Sequence, residues 1–150
     1  MNDTSDTIVA VSSPLGAGAR AIVRLSGPEA LGVALGHFAC GEAITPEATY
    51  RAFEGVVILR RGGVGRDAAP ARLLVMRGPR SYTRQDVAEL HVPGNPALVA
   101  ELVGGLCSSG ARPAGPGEFT ARAFLSGRLD LAQAEAVMAV IAAGGTRRLA

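Results

Sequence analysis

Lysine is absent from this chain of 150 residues, and all fifteen of its basic residues are Arg. A phosphate loop of the Walker type needs a Lys on the phosphates, and Schiff-base or pyridoxal-phosphate catalysis needs a Lys amine, so these chemistries are excluded for this stretch of sequence. GTP binding and hydrolysis are accordingly not expected of it. Tryptophan is also missing and aromatics make up only 4% of residues, which leaves Val, Leu, Ile and Ala to build the core. There are two cysteines, Cys40 and Cys107, without CxxC or histidine spacing, so a zinc site or a disulfide framework is not expected and buried free thiols are. No apolar run approaches the roughly eighteen residues of a membrane span, and the polar, acidic opening Met1 to Asp6 does not read as a signal peptide, which points to a soluble, cytoplasmic protein with no membrane partner. The net charge is only +2 with the arginines scattered, so no nucleic-acid footprint is evident.

What is present suffices for one compact domain. Hydrophobic residues make up 48% and charged residues 19%, a composition that can bury a core. Thr7 to Ser12 is rich in strand formers and ends at Ser-Pro-Leu-Gly, after which Arg20 to Ser26 alternates polar and apolar side chains; together they predict two paired strands. Ser26-Gly27-Pro28-Glu29 starts a helix running to about Phe38. A strand is expected within Tyr50 to Arg60, punctuated by Gly62-Gly63-Val64-Gly65, with further strands at Arg72 to Arg77 and Val87 to Val92. The two-residue period of the last places Glu89 and His91 on one face. Pro93 to Pro96 opens a helix to about Ser108, Ala111 to Ala114 is short and extended, and Pro116 to about Ala143 reads as helix, with Gly144-Gly145 as a break. The fold class is α+β, a mixed β-sheet packed with helices and ending in a C-terminal helix: residues 1–115 form the α+β domain and residues 116–150 a helical extension packed on it.

Few residues advertise chemistry. Gly16-Ala17-Gly18-Ala19-Arg20-Ala21 matches the dinucleotide-binding pattern G-x-G-x-x-A, but a strand-like run follows it where a helix is required, so it reads as a glycine-bearing hairpin turn. His37 and His91 have no Ser or Cys at a motif spacing and read as structural. Glu89 is more telling. A carboxylate within the apolar Val87 to Val92 run is either solvated at a sheet edge or needs a partner or ligand.

The most distinctive stretch is Pro116-Gly117-Glu118-Phe119-Thr120, Arg122-Ala123-Phe124-Leu125, Leu129-Asp130-Leu131 and Gln133-Ala134-Glu135-Ala136. With Asp6 to Ala10, Ala21 to Gly27, Ser81-Tyr82-Thr83, Asp86-Val87 and Glu89-Leu90-His91, it resembles the N-terminal domain of the MnmE (TrmE) family of tRNA-modification GTPases across essentially the whole chain. That resemblance implies a dimerising α+β domain, similar to the folate domains of aminomethyltransferases, that binds 5-formyl-tetrahydrofolate or a related reduced folate. It implies work with an MnmG-like partner on the tRNA wobble uridine, with tRNA touched only indirectly. Its folate-contacting residues map onto Arg24, Glu89 and Arg128, the last where the family usually has Lys. The chemistry agrees: a carboxylate such as Glu89 can accept the adjacent N–H groups of a pterin, and Arg24 or Arg128 suits the carboxylates of the glutamyl tail. The chain departs from the family pattern at Thr83-Arg84-Gln85-Asp86, in place of Thr-Gly-Glu-Asp, and at His91-Val92-Pro93-Gly94-Asn95-Pro96, in place of His-x-His-Gly-Gly-Pro. Two alternative readings remain beside folate binding: a dimerisation scaffold without ligand, and an RNA-contacting module using scattered Arg side chains.

Overall fold

The computed structural model describes residues 4–14, 16–60 and 66–146. Its elements run β1 (Ile8–Val11), β2 (Gly18–Ser26), α1 (Ala30–Leu35), β3 (Phe38–Ala39), β4 (Tyr50–Arg60), β5 (Arg66–Met76), β6 (Val87–Gly94), α2 (Pro96–Ser108), β7 (Arg112–Pro113), α3 (Glu118–Leu125) and α4 (Leu131–Thr146). This is the expected α+β class with a C-terminal helix. The strands form one seven-stranded sheet in the order β3-β4-β5-β6-β2-β1-β7. Every described pair is antiparallel except β1 with β7, which makes the sheet mixed.

Alternation along the strands divides the sheet into two faces. Val23 and Leu25 of β2, Leu90 and Val92 of β6, Leu73 and Val75 of β5, and Phe53 and Val57 of β4 point to one side, where each is almost wholly buried. There they join Leu31 and Val33 of α1 and Leu102 and Leu106 of α2 in a single cluster. The core is aliphatic, with Phe53 and Phe38 as its rings among the described residues, as the scarcity of aromatics requires. Cys40 and Cys107 are free and only half-buried at its margin, a shade more exposed than expected.

The β1–β2 hairpin forms as anticipated, with Ile8 opposite Ser26 and Val11 opposite Val23. The start of α1 differs. Ser26 does not cap it: the Glu29 N–H donates to Thr7 Oγ1 at 2.9 Å, and the Ser26 hydroxyl is taken up by Thr83 and Gln85. The helix also stops at Leu35 instead of Phe38, because Phe38 is used as a strand residue opposite Val57. Helix α2 begins at Pro96, capped by the Asn95 side chain on the Ala97 and Leu98 N–H groups. The single helix expected from Pro116 is two, separated at Ser126 to Asp130, where Gly127 takes φ +74. The Gly144-Gly145 break is not seen, since α4 runs to Thr146. The glycine-rich turn at 62–65 lies outside the described residues.

Helix α3 is tied to the sheet by charge. Arg122, 2% exposed, donates to the Asp6 carboxylate and carbonyl, to Gln85 Oε1 and to Glu118. Arg112 grips Asp6 and Glu118 from the other side, with Nη2 2.7 Å from Glu118 Oε1. This network fixes α3 near β1 and β7 and so decides what stands over the second face of the sheet.

Candidate functional site on the second sheet face

That second face is polar. Register places Arg24 of β2 directly opposite Glu89 of β6, and His91 opposite Arg72 of β5, which in turn faces Glu54 of β4. The result is a row of charge across four strands, Glu54–Arg72–His91–Glu89–Arg24, each member on the face away from the core.

Its centre is tightly bonded. Arg24 donates from Nε at 2.8 Å and from Nη2 at 2.7 Å to Glu89 Oε1, while His91 Nε2 lies 3.0 Å from Oε2. The Glu89 side chain is 12% exposed and that of His91 15%. Phe119, carried by α3, sets its ring 5.8 Å from the Arg24 guanidinium and closes that side. Burial pushes the Glu89 pKa up, but the hydrogen bonds from His91 and Arg24 and the charge of Arg24 outweigh it and hold the carboxyl below its ordinary value. Glu89 is therefore an ionised, half-buried carboxylate at neutral pH, oriented from both sides. It is not the solvated edge residue that the sequence left as an alternative.

Beyond His91 the face opens into a cleft of about 240 Å3, lined by Arg20, Glu54, Pro70, Arg72, His91 and Pro93 among others. His91 Nδ1 is buried and has no hydrogen-bond partner. An unsatisfied buried polar atom costs about 1 to 3 kcal/mol, and such atoms mark places where a fold keeps something other than its own stability.

Against this geometry we compared the chain with known proteins. Residues 7–128 match the family described as GTP-binding protein TrmE N-terminus. The chain belongs to this family. Among its relatives, the tRNA modification GTPase MnmE of Halorhodospira halophila is 47% identical over 152 residues, which cover 99% of this chain and 30% of that protein. The MnmE proteins of Thermus thermophilus and Lactococcus lactis subsp. lactis are 42% and 45% identical, over 93% and 92% of this chain and 32% and 29% of theirs. The chain thus spans about a third of the length of these relatives.

All three residues mapped from the TrmE pattern lie inside the matched segment. The structure brings Arg24 and Glu89 together. Arg128 stands apart, exposed in the turn after α3, its backbone N–H donating to the Ala123 carbonyl and its side chain making no ion pair among the described residues. Sequence reasoning treated His91 as structural and passed over Arg20, Arg72 and Phe119. For His91 the signal was available, since the two-residue period already set it beside Glu89. For Phe119 there was none, because only the folded path of α3 carries it to Arg24. The Gly-x-Gly stretch belongs, as expected, to a hairpin connection and not to a nucleotide loop: Gly16 takes φ +103 and a strand, β2, starts at Gly18. No group of three or more His, Cys, Asp or Glu placed to hold a metal occurs among the described residues, and no helix among them is long and apolar enough to cross a membrane.

Proposed function

We propose that this chain is a dimerising TrmE-type N-terminal domain that binds 5-formyl-tetrahydrofolate or a related reduced folate, in the service of tRNA wobble-uridine modification with an MnmG-like partner. The observation that carries the reading is the Glu89 carboxylate: ionised, half-buried, held by Arg24 and by His91, which itself lines a cleft. A carboxylate has about four acceptor sites. Arg24 and His91 use three of them, which leaves one on Oε2 for an outside donor, and a second becomes free if Arg24 gives up one of its two bonds to Oε1. Paired N–H donors of the kind on a pterin edge match that supply. When bound, the folate contributes one-carbon chemistry; the residues of this chain bind it, orient it and keep the carboxylate charged.

Support for the dimer comes from α4, which exposes Leu131, Met138, Val140 and Ile141, the last two by 73% and 55%. A scaffold without ligand is the second reading, favoured by the fact that Arg24 and His91 already satisfy most of Glu89 without outside help. Calorimetric titration of 5-formyl-tetrahydrofolate into the wild type and Arg24→Ala separates the two. Folate binding predicts saturable uptake that is weakened at least tenfold in the variant. A scaffold predicts no heat in either.

A further inference from the structure

The ion pair at the centre of the site raises a question about the far end of the proposed ligand. Reduced folates carry carboxylates on a glutamyl tail, and Arg24 offered one cation for them. In the structure Arg24 is engaged: its Nε and Nη2 both point to Glu89 Oε1, and its charge is neutralised there. Arg128 lies outside the charged row, in the turn beyond α3. A tail carboxylate leaving Glu89 therefore needs another cation on the same face.

We infer that Arg20 and Arg72 form that receptor, a subsite for the anionic tail at the mouth of the cleft beside His91. This rests on the folate reading of Glu89. Arg20 stands on the polar face by the same alternation that sets Arg24 there, and the sheet is distorted just before it. Between Gly18 and Arg20 the β2–β6 register slips, so that Gly18 pairs with Gly94 and Arg20 with Pro93 while Ala19 is left over. Such bulges bend the strand and increase its twist locally. The slip depends on close approach of the two strands: a Cβ on Gly94 would stand 2.2 Å from the Gly18 carbonyl oxygen. Arg20 is exposed on the cleft wall with no carboxylate partner among the described residues.

Arg72 enters from the next strand. It sits opposite His91 on β5, about 4.8 Å away in the pairing direction, and diagonal to Glu89. Its present partner, Glu54, has a side chain 71% exposed, and Arg72 is itself 47% exposed. A pair so open to water has little net worth and exchanges readily for a better-placed anion. Pro70 and Pro93 line the cleft with apolar ring surfaces beside the two cations, Pro93 directly opposite Arg20. Along the strands the polar face then runs from Glu89, through the level of His91 and Arg72, to that of Arg20 and Pro93, so that a carboxylate for N–H donors stands at one end and two guanidiniums for carboxylates follow it. An elongated ligand with a donor edge at one end and an anionic tail at the other suits that order.

The test uses three probes, 5-formyl-tetrahydrofolate, its triglutamate and the tail-less 5-formyl-tetrahydropterin, titrated into the wild type, Arg20→Ala/Arg72→Ala, Arg20→Gln/Arg72→Gln and Glu89→Gln. The wild type should prefer the tailed ligand over the tail-less one by at least tenfold, with the triglutamate tighter still and the preference shrinking as salt is raised. Both double variants, confirmed as folded by melting, should bind all three probes within about threefold of one another, while Glu89→Gln should weaken all three by a common factor. A tail preference that survives in the folded double variants overturns the subsite. So does a wild type that binds tailed and tail-less probes alike, although the folate reading of Glu89 would then stand. A wild type that binds none of them removes both.

Discussion

Three residues show how a charge can be placed in a sheet without being stranded there. Glu89 points away from the core, meets Arg24 across the strand pair and receives His91 from two residues on. Breaking a half-buried pair of this kind on one side leaves the other charge unpaired, which is costlier than the pair is worth. Arg24→Leu should accordingly lower the melting temperature more than Arg24→Leu combined with Glu89→Leu, and calorimetric melting of the single and double variants checks it. Arg84 poses a different question. It takes φ +60 at the place where the family pattern has Gly, and its guanidinium rests on the Ser126 carbonyl at 3.2 Å. A left-handed backbone costs a residue with a Cβ about 1 to 2 kcal/mol, and glycine loses roughly 0.5 to 1 kcal/mol in chain entropy. The two nearly offset, so Arg84→Gly should shift stability by less than about 1 kcal/mol, whereas Arg84→Val, β-branched at the same φ, should cost more than about 1 kcal/mol. Chemical denaturation of both variants measures the difference. This position also explains how a departure from the family pattern leaves the loop in place: Arg84 adopts the glycine conformation instead of abandoning it.

Among the elements, those with a clear period were legible from sequence. The β1–β2 hairpin followed from a run of strand formers and an alternating run with a Ser-Pro-Leu-Gly turn between them, and the shared face of Glu89 and His91 followed from strand geometry alone. What escaped was decided by neighbours distant in the chain. Phe38 continues a helical pattern locally, yet Val57 claims it for a strand. Gly127 sits in a run of good helix formers, yet it is the point where the chain turns between α3 and α4. The Arg24–Glu89 bond joins residues 65 positions apart, and without the family resemblance no local feature links them. Helix α3 gives the clearest pH test. Arg112's hydrogen bond holds the Glu118 carboxyl down to about 2 from an ordinary 4.5; burial opposes this and the Gly115 N–H assists it. Asp6 is lowered too, chiefly by Arg112, with burial opposing and Arg122 assisting. A carboxyl lowered in the folded state adds stability that is complete above its unfolded pKa and disappears as pH falls toward its folded one. The melting temperature should therefore drop between about pH 4.5 and pH 2, and Glu118→Gln should flatten part of that slope while starting from lower stability at pH 7. A variant whose acid profile parallels the wild type would show that the network does not tie α3 down.

For the whole molecule, one aliphatic face makes the fold and one polar face makes the site. Leu90 lies at the centre of the first, fully buried on β6 between the residues of the site. Leu90→Ala should cost about 2 to 5 kcal/mol by the cavity it leaves, and because β6 also carries Glu89 and His91, ligand binding should weaken with it. Exposed apolar residues on α4 set the expected assembly: light scattering should give twice the 15.2 kDa chain mass, and Val140→Asp with Ile141→Asp should return the single chain. Whether the polar face holds a reduced folate against Glu89 is decided by titrating 5-formyl-tetrahydrofolate into the wild type and Glu89→Gln side by side, with melting temperatures for both. Saturable binding by the wild type is expected, with a loss of roughly 1.5 to 3 kcal/mol, about 10- to 150-fold, in a variant that remains folded. Equal affinity in a folded Glu89→Gln, or no binding by the wild type at all, would contradict the folate reading.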